Sequence, residues 1–302
     1  MPPRPAMTQE TALAPEVLAR LAGLKVRVER VVEGLLAGIH RSARHGVSTE
    51  FVDHKAYSPG DDPRRLDWKV LARLDRVMVR RFLDETRLAA FLAMDASGSM
   101  GYRGSALAKL EYAKVLAGAL AALLLHQGDE VGLLATAARP VELVPSGRGE
   151  HLLELLGVLE ALQPQGPTHL AELVERYLSR MNRRGLLLLF SDLFDADPAA
   201  LNSLRLAAAR GHSVRVFLVL DADEIDFPFE DPALFTCLEQ ERQLLTYPRE
   251  VRDAYREEMR AFIEECRRAL GQAGATLELS RCDEPPDRVL RRALSAWQEA
   301  TR

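Results

Sequence analysis

Cysteine, lysine and aromatic residues are all scarce in this chain of 302 residues. The three cysteines, Cys237, Cys266 and Cys282, are widely spaced, and no CxxC occurs. That pattern argues against a disulfide framework and against a thiolate zinc site, and it suits a reducing cytoplasm. Only five of the 40 basic residues are lysine: Lys25, Lys55, Lys69, Lys109 and Lys114. No apolar run reaches the roughly 18 residues of a membrane helix. The best run, Val115 to Leu125, has eleven residues and reads as a buried helix. The opening MPPRPAMTQETALAP has no apolar stretch, so residues 1–12 are expected to be a disordered lead and not a secretory signal. GxxxxGK[ST] is absent, which argues against an ATPase, and GxSxG is absent, which argues against a serine esterase. A net charge of −4 excludes a global basic field for nucleic acid.

What is present is ordinary globular composition, 47% hydrophobic and 28% charged. Charge is uneven: residues 1–87 carry +4, residues 88–220 carry −1 and residues 221–302 carry −7. Leu13, Val17, Leu21, Leu24, Val28, Val31, Leu35 and Ile39 recur every three or four residues and predict an amphipathic helix. Short strands are expected near 50–57 and 77–82, either side of a turn at SPGDDP. From Leu88 onward, apolar strands (88–95, 131–135, 186–192, 214–220) alternate with helical segments (105–126, 149–162, 169–181, 198–210). This alternation predicts a doubly wound α/β sheet. After Asp221 the sequence turns acidic and irregular. A hairpin (234–238 and 243–247), a helix (249–272), a strand (275–280) and a last helix (286–300) then read as a closing layer of the same domain.

The informative string is Asp95-Ala96-Ser97-Gly98-Ser99-Met100, where an apolar strand gives way to a helix. Ligands of open α/β sheets bind outside the carboxyl ends of strands. The alternation of Asp95, Ser97 and Ser99 lets three oxygen-bearing side chains converge, a hard set suited to Mg²⁺ or Mn²⁺. The competing reading makes Ser97 or Ser99 a helix cap. Ser191-Asp192 ends a second apolar strand, so Asp192 belongs on the same edge. Thr168, in the Gly166-Pro167-Thr168 loop, reads equally as an N-cap and as a further hydroxyl ligand. Gly98-x-x-Gly101-x-x-Gly104 lies where a dinucleotide loop would, but it is not GxGxxG.

DASGSM after an apolar strand, a later Thr in a Gly-containing loop and Ser-Asp after another strand resemble the metal-ion-dependent adhesion site of von Willebrand factor A domains. Upstream, Glu50-Phe51, Tyr57, Pro59-Gly60-Asp61-Asp62, Arg64, Leu66-Asp67-Trp68, Ala72-Arg73 and Phe82 resemble the YxPGDDxRxxDW signature of a bacterial family catalogued as a domain of unknown function with a von Willebrand A-like core. The resemblance runs from about Leu35 to the end. It implies a Rossmann-like, mostly parallel sheet with an N-terminal helix and a small strand-containing extension. It also implies a divalent cation, Mg²⁺ or Mn²⁺, at Asp95, Ser97, Ser99, Thr168 and Asp192, whose shell a partner's acidic residue completes. The implied partner is a MoxR-type AAA+ ATPase acting with it, in chaperone-like fashion, on a protein client. The expected organisation is residues 13–87 (helix and signature segment) packed on a core of residues 88–302, with Phe51, Tyr57, Trp68 and Phe82 at the contact. The expected function is a cytoplasmic, non-enzymatic, metal-dependent interaction module. The alternative is a metal-assisted phosphohydrolase using the same Asp/Ser/Asp set, which would also need a general base.

Overall fold

The computed structural model describes residues 23–42, 53–56, 78–81, 88–104, 107–136, 140–194, 198–239 and 243–300. Contacts divide the chain into two compact units, residues 1–37 with 88–302, and residues 38–87. In the smaller unit, strands β1 (Asp53–Ala56) and β2 (Met78–Arg81) pair antiparallel, with Asp53 opposite Arg81 and Ala56 opposite Met78. The expected anchor residues Phe51, Tyr57, Trp68 and Phe82 lie outside the described residues.

The larger unit is built on a six-stranded sheet: β3 (Ala89–Asp95), β4 (Glu130–Thr136), β5 (Val141–Ser146), β6 (Leu186–Ser191), β7 (Ser213–Leu220) and β10 (Ala275–Arg281). Its order is β10-β7-β6-β3-β4-β5, and every pair is parallel except β4 with the edge strand β5. The chain leaves β3 toward β4 and β5, then returns on the other side through β6, β7 and β10. The order therefore reverses between β3 and β6, and the crevice at such a switch point is where open α/β sheets bind ligands. This is the doubly wound sheet the strand–helix alternation predicts.

The apolar runs of the central strands follow from burial on both faces. Ala90, Leu92 and Met94 of β3 join one core, and Ala89, Phe91 and Ala93 join the other. The first core is closed by α1 (Leu24–Ser42, through Leu24, Val28, Val31 and Leu35), α2 (Lys109–His126), α3 (His151–Ala161) and α8 (Pro286–Ala300). Helix α2 is buried almost all round, as its Ala/Leu-rich sequence suggests. The second core is closed by α4 (Leu170–Arg180), α5 (Pro198–Ala209) and α7 (Pro248–Gln272). The predicted N-terminal helix is present from Leu24, and residues 13–22 lie outside the described residues.

One expectation needs correcting. The acidic stretch after Asp221 is not irregular throughout. It forms a short helix α6 (Ala222–Asp226) held by a capping box in which Asp221 accepts from Asp223 N and Glu224 accepts from Asp221 N. A hairpin of β8 (Ala233–Thr236) and β9 (Gln243–Thr246) follows, close to the predicted position. No helix of the described residues is long and apolar enough to cross a membrane.

Candidate functional site

Asp95 closes β3 at the switch point and is fully buried. Its Oδ1 accepts from Ser97 N at 3.0 Å and from Thr136 Oγ1 at 3.3 Å, and its Oδ2 accepts from Ser191 Oγ at 2.6 Å. Burial, together with the negative charge of Asp192, pushes the Asp95 carboxyl up to about 6. The side chain is fixed by three neutral donors, and among the described residues no ion pair to it is seen.

Beyond Asp95 the chain curls into a 3₁₀ turn, Gly98–Gly101. Ser97 precedes this turn, but its side chain makes no capping hydrogen bond. Instead the Ser97 and Ser99 hydroxyls meet at 3.2 Å. The 165–168 loop is stitched alongside by two backbone bonds, Gly98 N to Gly166 O and Gln165 N to Ala96 O, both 2.8 Å. This brings Thr168 to the same place. His169, not Thr168, is the N-cap of α4, and the Thr168 hydroxyl turns to Glu239. The cap readings therefore fail for Ser97 and Thr168, and the Ser97–Ser99 turn and Thr168 lie together at the carboxyl edge.

Asp192 follows β6 on the same edge, also fully buried. The chain turns sharply there, with Leu193 in the left-handed region at φ 58° and its N–H donating to Ser191 Oγ at 3.0 Å. A bulky residue in that conformation is strained, and such strain concentrates at functional turns. Asp192 has a partner the sequence reading missed. Lys109 Nζ, wholly buried at the start of α2, donates to Asp192 Oδ2 at 2.8 Å and to Glu224 Oε1 at 2.6 Å. It lies over the Phe194 ring, 4.8 Å from the centroid. Burial opposes the Lys109 charge, but Asp192 and Glu224 outweigh it and hold the ammonium above its ordinary range. Burial raises Glu224 despite Lys109. A lysine in an Ala/Leu-rich helix of a lysine-poor chain was the one signal that could have revealed this pair.

The second missed residue is Glu239, at the tip of the β8–β9 hairpin. Its Oε1 accepts from Ser99 N at 3.3 Å and from Thr168 Oγ1 at 3.5 Å. The backbone comes just as close: a Cβ at Gly98 would lie 2.4 Å from the Leu238 carbonyl oxygen, so only glycine admits the hairpin here. Gly104 likewise faces a carboxylate, donating its N–H to Asp221 Oδ2 at 3.1 Å. The glycine run is thus filled by protein groups and does not form a dinucleotide cradle.

The oxygen set suits a hard divalent cation and not a soft one. Ser97 Oγ to Ser99 Oγ (3.2 Å) and Thr168 Oγ1 to Glu239 Oε1 (3.5 Å) are near the ligand–ligand spacing of about 3 Å that an octahedral shell at about 2.1 Å requires. The set is poor in charged ligands, and among the described residues no three His, Cys, Asp or Glu are gathered as for a metal.

Comparison with known proteins bears on the family. Uncharacterised proteins of Mycobacterium tuberculosis and Mycobacterium bovis are each 30% identical over 229 residues, which is 74% of this chain and 71% of theirs. Among solved structures, the conserved hypothetical protein BatB of Bacteroides thetaiotaomicron aligns over 71% of this chain and 100% of its own, at 15% identity and a TM-score of 0.46. An aerotolerance-related membrane protein of Bacteroides fragilis aligns over 68% of this chain and 96% of its own, at 18% identity and a TM-score of 0.45. The family profile described as "Protein of unknown function DUF58" matches residues 53–265, some two-thirds of the sequence, and the chain belongs to that family.

Proposed function

We propose that this protein is a metal-dependent protein-interaction module, with Mg²⁺ or Mn²⁺ held at Asp95, Ser97, Ser99, Thr168 and Asp192. The observation that carries this reading is the gathering of three hydroxyls beside a buried carboxylate whose hydrogen-bond donors, among the described residues, are all neutral. Ser97, Ser99 and Thr168 are the direct ligands. Asp95, braced by Ser191 and Thr136, supplies the negative charge behind them. Asp192 contributes more weakly, because Lys109 already answers its charge. The cation would act as a Lewis acid that captures a carboxylate from another protein.

Catalysis is less well supported. A hydrolase at this site would need a general base. Asp95 accepts three hydrogen bonds and Asp192 is paired with Lys109, which leaves Glu239, itself held by Ser99 N and Thr168 Oγ1, as the carboxylate such a reaction would have to use. In line with the sequence resemblance, we assign a MoxR-type AAA+ ATPase as the partner and a cytoplasmic setting, with the pair remodelling a client protein.

A cation that binds only the folded state at a hundredfold excess over its Kd stabilises it by about 2.7 kcal/mol. Mn²⁺ or Mg²⁺ is therefore expected to raise the melting temperature of the wild type but not of Asp95→Ala. Capture of the ATPase is expected to fail in EDTA and in Asp95→Ala. An equal rise in Asp95→Ala, or full capture in EDTA, overturns the reading.

A further inference from the structure

An acid already lies beside the hydroxyl cluster, on the Ser99 backbone N–H and the Thr168 hydroxyl. Glu239 reaches both Ser99 and Thr168, residues 140 and 71 positions away in sequence, from a hairpin whose backbone passes against Gly98. We propose that Glu239 is a ligand of the cation, supplied by the protein's own chain, and that it occupies the coordination position an external carboxylate would take. The inference rests on the metal reading above.

The construction of the hairpin fits a reversible ligand. Its first strand is anchored: Phe235 stacks on Phe227 at 5.7 Å and meets Phe229 edge-on at 5.4 Å, and Phe227 stacks on Tyr255 at 4.4 Å. The second strand is exposed: Leu245 and Leu244, paired with Leu234 and Phe235, are more than half exposed, as is Leu238 beyond the end of the first strand. A two-stranded ribbon of this kind is marginal by itself. Glu239 lies beside the tip, so its contact with Ser99 and Thr168 decides whether the tip sits on the site. Releasing it breaks two long hydrogen bonds and the approach of the Leu238 carbonyl to Gly98, while the Phe235 ring contacts lie earlier on the strand. A bound cation would strengthen the contact, because a carboxylate–metal bond replaces those hydrogen bonds. An acidic partner would then have to displace Glu239 to reach the cation.

The test uses the full chain and Mn²⁺ alone. Calorimetric titration compares the wild type, the near-isosteric Glu239→Gln, and Glu230→Gln as a control for charge in the same segment. Hydrogen exchange of residues 233–246 is followed with and without Mn²⁺. Loss of a residue that holds or orients metal ligands weakens binding by about 10–100-fold. Glu239→Gln is expected to weaken Mn²⁺ by at least tenfold and to abolish a Mn²⁺-induced protection of the hairpin that the wild type shows. Glu230→Gln is expected to match the wild type in both. Unchanged affinity in Glu239→Gln, protection that persists in it, or an equal loss in Glu230→Gln overturns the inference while leaving the metal site standing. Absence of Mn²⁺ binding by the wild type removes the metal site and the inference together.

Discussion

The two halves of the switch-point edge handle charge in opposite ways. On one side Asp192, Lys109 and Glu224 form a buried group in which a protein ammonium answers two carboxylates at 2.8 and 2.6 Å. On the other side Asp95 is as deeply buried, yet among the described residues its donors are all neutral, and the Ser97 and Ser99 hydroxyls follow it in the chain. In the first half one ammonium is shared by two carboxylates, so much of the Asp192 charge is already answered inside the fold. The second is left short of positive charge, which is what a cation site requires before its ion arrives. The difference explains why Asp192 and Asp95, both strand-end carboxylates, are not equivalent.

The largest expected effect comes from breaking the first half. Lys109→Met leaves Asp192 without its ammonium in a dry site, and removing one partner of a buried pair costs about 3–5 kcal/mol. Denaturant unfolding should show that loss. If the two halves are independent, the stabilisation by saturating Mn²⁺ will be the same in Lys109→Met as in the wild type. A larger increment in the variant would show the cation reaching over to Asp192.

Next in size is the effect of pH on the second half. The Asp95 carboxyl sits at about 6 in the fold against 3.8 ordinarily, so the folded state holds this proton more tightly than the unfolded chain. Stability without metal therefore falls as pH rises between those values, and at about 1.4 kcal/mol per pKa unit the full penalty above pH 6 is about 3 kcal/mol. In EDTA at pH 7.5, Asp95→Asn should be more stable than the wild type by up to that amount, and its advantage should vanish near pH 4. Melting curves at the two pH values check the sign. A wild type that stays the more stable at pH 7.5 would show that Asp95 is not short of positive charge.

The smallest effect sharpens the contrast. Ser99→Ala removes one neutral hydroxyl contact, worth about 1 kcal/mol or less. In EDTA its melting temperature should barely move, whereas its Mn²⁺ response should shrink. A loss as large as that of Lys109→Met would mean that the hydroxyls serve the fold rather than a ligand.

Much of this edge was legible in the sequence because its signals are local. Asp95, Ser97 and Ser99 alternate within five residues, directly after a strand whose apolar run marks burial on both faces. The same run-then-acid pattern marks Asp192. The alternation of strands and helices dictated a doubly wound sheet, and that topology brings the carboxyl ends of β3 and β6 together whatever the loops do. What the sequence could not disclose are the meetings across long stretches of chain: Lys109 with Asp192, 83 residues on, and Glu239 with Ser99, 140 residues away. Neither is encoded by a period or a spacing. Lys109 reaches Asp192 because α2 packs back across the sheet and begins beside the switch point. Glu239 reaches Ser99 because α6 and the aromatic cluster at Phe227 aim the hairpin over Gly98. Local residue chemistry determined that oxygen-bearing side chains would end these strands and on which edge. Only tertiary packing decided which carboxylate received an ammonium from the protein and which acid came to Ser99 and Thr168, because burial and charge pairing depend on neighbours that the chain brings together only when it folds.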